Sequence, residues 1–503
     1  MGLEDLLDIV AAACGERVGV GGKVDGLTYE DLARCAAGIA TLIADSGCKH
    51  VAYVGLNGPA FPVAVFGSAV AGVPITPLNY RLSDAELHAL VGRLDNPLVL
   101  ADDAMRPRLK SPTDTVISTE GLLQSGRVAE PMAVSEADGE RPAVVLFTSG
   151  TTSTPKAVML RHSNLTAYVL QTMDLMAAGE EECALIAVPP YHIAGIASVL
   201  TNVYAARRMV HLPNFTPESW LSLVCEQGVT SAMVVPTMLA RVVEHLDGAP
   251  ANVPSLRTLA YGGARISQAT LERALSAFPQ VGFVNAYGLT ETSSTIAVLG
   301  PEDHRAAFAS DDPRIRDRLS SAGQAVPGIE ILVRGEDGNA VPPGCAGEIF
   351  VRGPQVSGEY VGTGSSLDAE GWFPTRDRGL LDAEGYLFIE GRSDDTIIRG
   401  GENIAPAEIE EVLQRHPGVR DAAVVGLPDE EWGERIAAVL IATPGREPDV
   451  EEIRQFAAAR LRSSKTPQLI EVWEELPYNA LGKLLRREIV ARLVGGKEPN
   501  STS

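Results

Sequence analysis

Apolar residues in this chain fall into short runs that alternate with longer segments in which they recur at helical spacing. Val51 to Leu56 predicts a buried strand, Asn57-Gly58-Pro59 a turn and Ala60 to Ala71 an apolar helix, followed by another short run at Val73 to Ile75. The rhythm returns in Thr230 to Val235 before a helix from Pro236, in Thr258 to Tyr261 before a helix after Ser267, and in Val281 to Ala286. Strands alternating with helices in βαβ-like order predict an α/β architecture. Between Arg334 and Glu390 the runs shorten and are parted by Gly and Pro, as in Gly347 to Pro354, which predicts a small β subdomain.

From Gly391 the pattern changes again. A helix is expected from Pro406, a residue suited to a first helical turn, with Ile409, Val412 and Leu413 on one face and Pro417-Gly418 as its stop. The runs Ala422 to Val425 and Ile436 to Ile441 follow, then a helix carrying Ile453, Phe456, Ala457 and Leu461. This predicts a compact α+β domain. The boundary is placed near Asp394, giving a large domain over residues 1–393 and a small one over 394–503; a chain of 503 residues exceeds what one core organises. Internal repeats are absent, and only the residues after Gly495 read as disordered.

Composition narrows the function. With 45% hydrophobic and 21% charged residues the chain is expected to be globular. Its formal charge of −23 argues against a nucleic-acid partner, while leaving room for a local basic patch that binds a phosphorylated small molecule. The six cysteines lie outside any C-x-x-C spacing, so buried free thiols in a reducing compartment are expected. The first residues carry acids and lack the basic, then apolar, order of a signal peptide. The apolar stretches Phe61 to Val73 and Ile193 to Ala206 are too short or interrupted to span a bilayer, so a cytoplasmic protein without an integral membrane segment is expected.

The candidate chemistry begins at Thr148-Ser149-Gly150-Thr151-Thr152-Ser153-Thr154-Pro155-Lys156, directly after the apolar run Ala143 to Phe147. Backbone N–H groups and short hydroxyls can wrap phosphoryl oxygens, and one ammonium offsets their charge. No second glycine precedes Lys156, so this is not the G-x-x-x-x-G-K-[ST] loop. Taken alone, the segment also reads as a solvated Ser/Thr turn. Further segments follow in order: Tyr191-His192-Ile193-Ala194-Gly195; Gly262-Gly263-Ala264; Tyr287-Gly288-Leu289-Thr290-Glu291; Thr375-Arg376-Asp377 with Gly391-Arg392-Ser393-Asp394-Asp395; and Pro477 to Lys483. Together they resemble the ordered motifs of the adenylate-forming superfamily, which includes acyl-CoA and aryl-CoA synthetases, luciferases and peptide-synthetase adenylation domains. The resemblance runs from about Thr28 to Arg487.

The resemblance implies an acetyl-CoA synthetase-like fold. A large N-terminal domain of α/β subdomains plus a small β subdomain would precede a mobile C-terminal domain hinged at Asp394. It implies an ATP-dependent ligase that converts a fatty, alicyclic or aromatic acid to acyl-AMP with release of pyrophosphate, then transfers the acyl group to coenzyme A. The alternative is an acyl-AMP ligase that loads a separate carrier protein.

By resemblance, Thr148, Ser149, Gly150, Thr151, Thr152 and Lys156 hold the phosphates, Thr151 also serving catalysis. Glu291, with Thr290 beside it, helps hold Mg²⁺. Tyr287 lies against adenine, with Gly288 permitting close approach. Asp377 binds the ribose, and Arg392 reaches the ribose or phosphates. Lys483 is the adenylation cation, similar to a site of acetylation in family members, so a lysine acetyltransferase is an expected partner. His192 corresponds to an aromatic gate. Gly400 and Gly401 line the thiol tunnel, while Trp432, Arg81 and Lys465 meet the coenzyme A nucleotide. Gly262, Gly263, Ala264, Ile193 and Pro236 bound the acid. The chain departs from the family pattern at Ser153, Ala157 and Arg376, each in place of a usual glycine, and at Ser464, in place of a frequent aromatic.

Overall fold

The computed structural model describes residues 1–109, 116–132, 138–148, 155–392, 395–399, 402–429, 432–446, 448–479 and 483–495. Among the described residues the predicted α/β rhythm builds two large sheets. In one, Arg208–His211, Cys183–Ile186, Ser231–Val234, Thr258–Gly262 and Gly282–Leu289 lie side by side and parallel, and Ser294–Leu299 returns antiparallel at one side. In the other, Pro142–Thr148, Ile75–Pro77, His50–Val54 and Pro97–Ala101 are parallel neighbours, and Lys156–Arg161 runs antiparallel to Pro142–Thr148.

The helix Ala60–Ala71 is buried from Ala60 to Val70, which accounts for its lack of a polar face. It belongs to an apolar cluster that takes Val51, Ile75 and Val144 from one sheet and Ala184, Ile186 and Met209 from the other, so the largest core lies between the two sheets. The expected β subdomain is the antiparallel sheet Glu330–Arg334, Gly347–Arg352, Phe373–Leu381, Leu387–Arg392.

Beyond it, Ile397–Arg399, Glu402–Ile404, Gly433–Ala442, Val419–Asp429 and Leu469–Trp473 form a separate sheet. Its two faces carry their own clusters, one around Ile409, Leu413 and Ile453 and the other around Ile489 and Leu493. Among the described residues neither cluster includes a residue before Ile397. Asp394, the expected hinge, lies outside the described residues, as does the segment after Gly495. Among the described residues two ion pairs join this unit to the larger part of the chain: Arg265 to the half-buried Glu411 at 3.0 Å, and the exposed Arg420 to Glu244 at 4.0 Å.

Some expectations shift. The strand expected at Val51 to Leu56 spans His50–Val54, because the amide of Leu56 leaves the ladder to donate to Asp102 at 2.6 Å. The run at Val73 becomes strand only from Ile75, since Gly72 (φ 71°) ends the preceding helix. Leu461 is buried but lies past the end of the helix Val450–Ala458. The cysteines are free, yet only Cys35 and Cys183 are buried; Cys225 and Cys345 are exposed. No helix among the described residues is long and apolar enough to cross a membrane.

Candidate active site

The parallel sheet brings its functional segments to one edge. The chain leaves Cys183–Ile186 towards Tyr191 to Ile193, Ser231–Val234 towards Pro236, and Thr258–Gly262 towards Gly263 and Ala264, while Gly282–Leu289 carries Tyr287. Ligands in open α/β sheets gather outside these carboxyl ends. Gly262 pairs with Ala286, and a Cβ there would meet the Ala286 carbonyl at 2.2 Å. Gly263 (φ 84°) is exposed, with Val235 the nearest neighbour of its missing side chain at 4.0 Å. Gly262 thus serves close strand packing, and Gly263 leaves room on the exposed side. Gly288 is needed for another reason than expected: the carbonyl of Ser294 would lie 1.8 Å from its Cβ, so the antiparallel return occupies that space.

His192 immediately precedes the helix Ile193–Tyr204, and its ring lies 4.5 Å from that of Tyr191. Its buried Nε2 and the buried Tyr191 hydroxyl have no hydrogen-bond partner among the described residues. Burial, assisted by the charge of Arg81, pushes the His192 imidazole down to about 3, so it is neutral at ordinary pH. The same burial raises the Tyr191 phenol to about 12.

On the opposite side, Thr148 and Lys156 are register partners at the ends of an antiparallel pair. The hydroxyl-rich loop must therefore connect them, but Ser149, Gly150, Thr151, Thr152 and Ser153 lie outside the described residues. Ala157 is an ordinary buried strand residue. The ammonium of Lys156 sits 5.4 Å from the ring centroid of Tyr360, whose hydroxyl donates to Glu291 Oε1 at 2.8 Å. The backbone carbonyl of Glu291 accepts from Ser357 (2.9 Å) and Gly358 (3.1 Å). The fully buried amide of Gln355 donates to the carbonyls of Thr292 (2.9 Å) and Thr295 (2.8 Å). Thr290 opens this short turn, Thr290–Thr292.

A second cluster lies where strands Phe373–Leu381 and Leu387–Arg392 pair Asp377 with Arg392. Asp377 is buried; its Oδ2 accepts from the Tyr287 hydroxyl at 2.5 Å and its Oδ1 from Arg392 at 2.9 Å. Burial alone would lower the Arg392 guanidinium, but Asp377 outweighs it and raises it. Burial and the Asp377 carboxylate hold the Tyr287 phenol well above its usual range, fixing it as a donor.

Lys483 completes the set from the carboxy-terminal unit. Its amide donates to Asn479 Oδ1 at 2.9 Å, closing a short turn. The side chain keeps an exposed face, yet surrounding protein and then the charge of Arg392 lower its ammonium, against the opposing pull of Asp395, Asp377 and Glu291. Asp377 and Glu291, one from each cluster, thus lie within electrostatic reach of the ammonium. Behind it, Arg486 is paired with Glu410 and approaches Asp395 at 3.6 Å.

The other residues expected at the site lie apart. Lys465 pairs with Glu408 at 2.5 Å, and Trp432 is covered by Arg399 at 5.0 Å; Ser464 accepts from Arg399 through its carbonyl. Arg81 is exposed beside Tyr80, near His192. Gly400 and Gly401 lie outside the described residues. Sequence reasoning missed Tyr360 and Gln355. Nothing local marks either one; only the pairing of Glu359–Tyr360 with Lys156–Arg161 brings that tyrosine to Glu291.

No three His, Cys, Asp or Glu residues cluster as a metal cage among the described residues. A single carboxylate with a free oxygen, beside a phosphate-binding loop, suits Mg²⁺, which binds through one or two carboxylates together with substrate phosphates.

Comparison with known proteins places the chain among characterised relatives. Residues 8–361 match the AMP-binding enzyme family, and residues 408–483 match the AMP-binding enzyme C-terminal domain. The fatty acid–[acyl-carrier-protein] ligase ScoC of Streptomyces coeruleorubidus is 32% identical over 93% of this chain and 92% of its own. The feruloyl-CoA synthase of an Amycolatopsis species is 33% identical over 93% of this chain and 94% of its own. Among solved structures, o-succinylbenzoate CoA synthetase (MenE) from Bacillus subtilis, in complex with its acyl-adenylate intermediate OSB-AMP, superposes with a TM-score of 0.84 at 29% identity, covering 96% of this chain and 97% of that one.

Proposed function

The chain belongs to the AMP-binding enzyme family, and from that premise we propose that it joins a carboxylic acid to ATP as acyl-AMP and then passes the acyl group to coenzyme A. The observation that carries this reading is the meeting of two carboxylate clusters, Glu291–Tyr360–Lys156 and Asp377–Tyr287–Arg392, with Lys483 in electrostatic reach of both. The arrangement suits an anion-on-anion reaction. The substrate carboxylate attacks the α-phosphorus, the bond to the pyrophosphate oxygen breaks, and no general base is required; what is needed is positive charge placed beforehand.

Asp377 retains lone pairs for both ribose hydroxyls after accepting from Tyr287 and Arg392. Lys156 and the loop that begins at Thr148 hold the β- and γ-phosphates. Glu291 would hold Mg²⁺, which neutralises charge on the phosphates when bound. The acid lies at Gly262 to Ala264, Ile193 and Pro236.

In the second step the thiol sulfur attacks the acyl carbonyl carbon, AMP leaves with the bonding electrons, and the thiol proton passes to the departing phosphate or to water. His192, held neutral and weakly basic, serves as a wall between the nucleotide and the thiol path and not as a proton acceptor. We place the hinge at Asp394, between independent cores. Rotation about it withdraws Lys483 and carries Gly400, Gly401, Trp432 and Lys465 towards Arg81. Acetylation of Lys483 would remove the first step's cation. The reducing cytoplasm suits the free cysteines.

The test is purified protein with Mg-ATP, coenzyme A and a panel of fatty, aromatic and alicyclic acids. Acid-dependent release of AMP and pyrophosphate is expected; no release with any acid overturns the reading. Similarity to ScoC supports a second acceptor, a carrier protein's phosphopantetheine. Saturable turnover with free coenzyme A decides for the first.

The lowered Lys483 ammonium has a consequence for pH. Adenylation needs the charged form, so kcat/KM for ATP should hold at lower pH and fall as pH rises through a value below the ordinary lysine range of about 10.4. The residual activity of Lys483→Arg should lack that alkaline limb. An unchanged limb would assign it to another group.

A further inference from the structure

Arg376 sits in a backbone conformation that an arginine adopts only at a cost. Its φ is 61°, in the left-handed region that favours glycine. The cause is a bulge: Pro374 pairs with Phe350 and Arg378 with Glu348, so Thr375, Arg376 and Asp377 face Ile349 alone. Thr375 locks the bulge, donating its hydroxyl to the Ile349 carbonyl at 2.7 Å and accepting from the amide of Asp377 at 3.1 Å. Bulges re-aim side chains and recur beside active sites. Here the bulge turns Asp377 inward, where it is buried, and leaves Arg376 exposed at its apex.

The neighbouring cations each have a protein partner. Arg392 bonds Asp377, and Lys156 lies over Tyr360. Arg376, among the described residues, makes no hydrogen bond or ion pair. Its charge nevertheless reaches the Tyr360 hydroxyl that bonds Glu291, where it acts with Arg392 against the rise that burial imposes. A guanidinium without an ion-pair partner among the described residues, held at the apex of a locked and costly turn, is placed to meet an anionic ligand.

We propose that Arg376 is a substrate-contacting cation whose guanidinium pairs with phosphate oxygens of ATP bound with its ribose at Asp377. The contact belongs to the phosphate chain and not to the ribose or base. Planar guanidinium donors match phosphate oxygens two at a time, and an exposed ion contact of this kind weakens with salt. The inference rests on the ATP reading of the site, and it adds a residue whose loss changes nucleotide selectivity.

The experiment compares ATP and adenosine binding by calorimetry in wild type, Arg376→Ala and Arg376→Gly, at low and high salt. The glycine variant relieves the left-handed strain, so its melting temperature should equal or exceed that of wild type, which separates lost contact from lost fold. Both variants should bind ATP about tenfold more weakly at low salt, a difference of about 1.4 kcal/mol. That gap should shrink at high salt, with adenosine affinity within about twofold throughout. A wild type that binds ATP while Arg376→Gly binds it equally well overturns this inference alone, as does an equal loss for adenosine. A wild type that binds neither nucleotide overturns the proposed function with it.

Discussion

Replacing Lys483 with Ala is expected to slow acyl-adenylate formation by about 10³-fold, the scale of losing a preorganised charge at a transition state. Conversion of supplied acyl-adenylate to thioester should stay close to the wild-type rate. The asymmetry follows from position. Lys483 belongs to the carboxy-terminal unit, and its charge is felt at Asp377, Glu291 and Arg392 in the domain arrangement described here. In the proposed alternation the thiol step proceeds with that ammonium withdrawn, so its removal should take nothing from the second half. Separate single-turnover assays of the two halves check this. Equal loss in both would mean that Lys483 supports the fold or both reactions, and would sink the alternation scheme.

Asp377→Asn is expected to weaken binding of ATP and adenosine alike, by about 100-fold. Hydrogen bonds to a charged acceptor contribute about 1.5–3 kcal/mol each, and the ribose would lose the carboxylate for both of its hydroxyls. The Tyr287 hydroxyl and Arg392 would also lose a charged acceptor. The equal effect on the two ligands is the signature of a ribose contact, opposite to that expected for Arg376. Calorimetry with both ligands reads it, and a loss confined to ATP would reassign Asp377 to the phosphates.

Much of this was legible in the chain. The α/β rhythm, the buried helix Ala60–Ala71, the cap at Ser267 and the helix start at Pro406 are local, because periodicity and helix-end preferences act within a few residues. The motif residues were legible through resemblance; Asp377, Arg392 and Tyr287 lie together, and Glu291 and Lys156 meet around Tyr360. What stayed hidden depends on pairing between distant strands. Tyr360 reaches Glu291 across 69 residues, and Gln355 ties down the turn after Glu291 from a loop with no local signature. The conformation of Arg376 was equally invisible: the residue beside Asp377 could be read, but not the bulge that turns it outward. The acid itself stays unnamed for the same reason, since pocket depth is set by how three chain segments meet.

If the carboxy-terminal unit rotates as proposed, the pairs Arg265–Glu411 and Arg420–Glu244 bear on how the catalytic cycle is paced. Solvated ion pairs contribute about 0–1 kcal/mol each, and salt weakens them further. On the proposed rotation, a swivel with so little ionic restraint would draw little orientation preference from these pairs. The ligand in the cleft would then set the angle: triphosphate would draw the ammonium in, and departure of pyrophosphate would let it go. Timing would thereby be delegated to the chemistry, and the direction of each turn would follow the ratio of ATP to AMP and pyrophosphate in the surrounding solution.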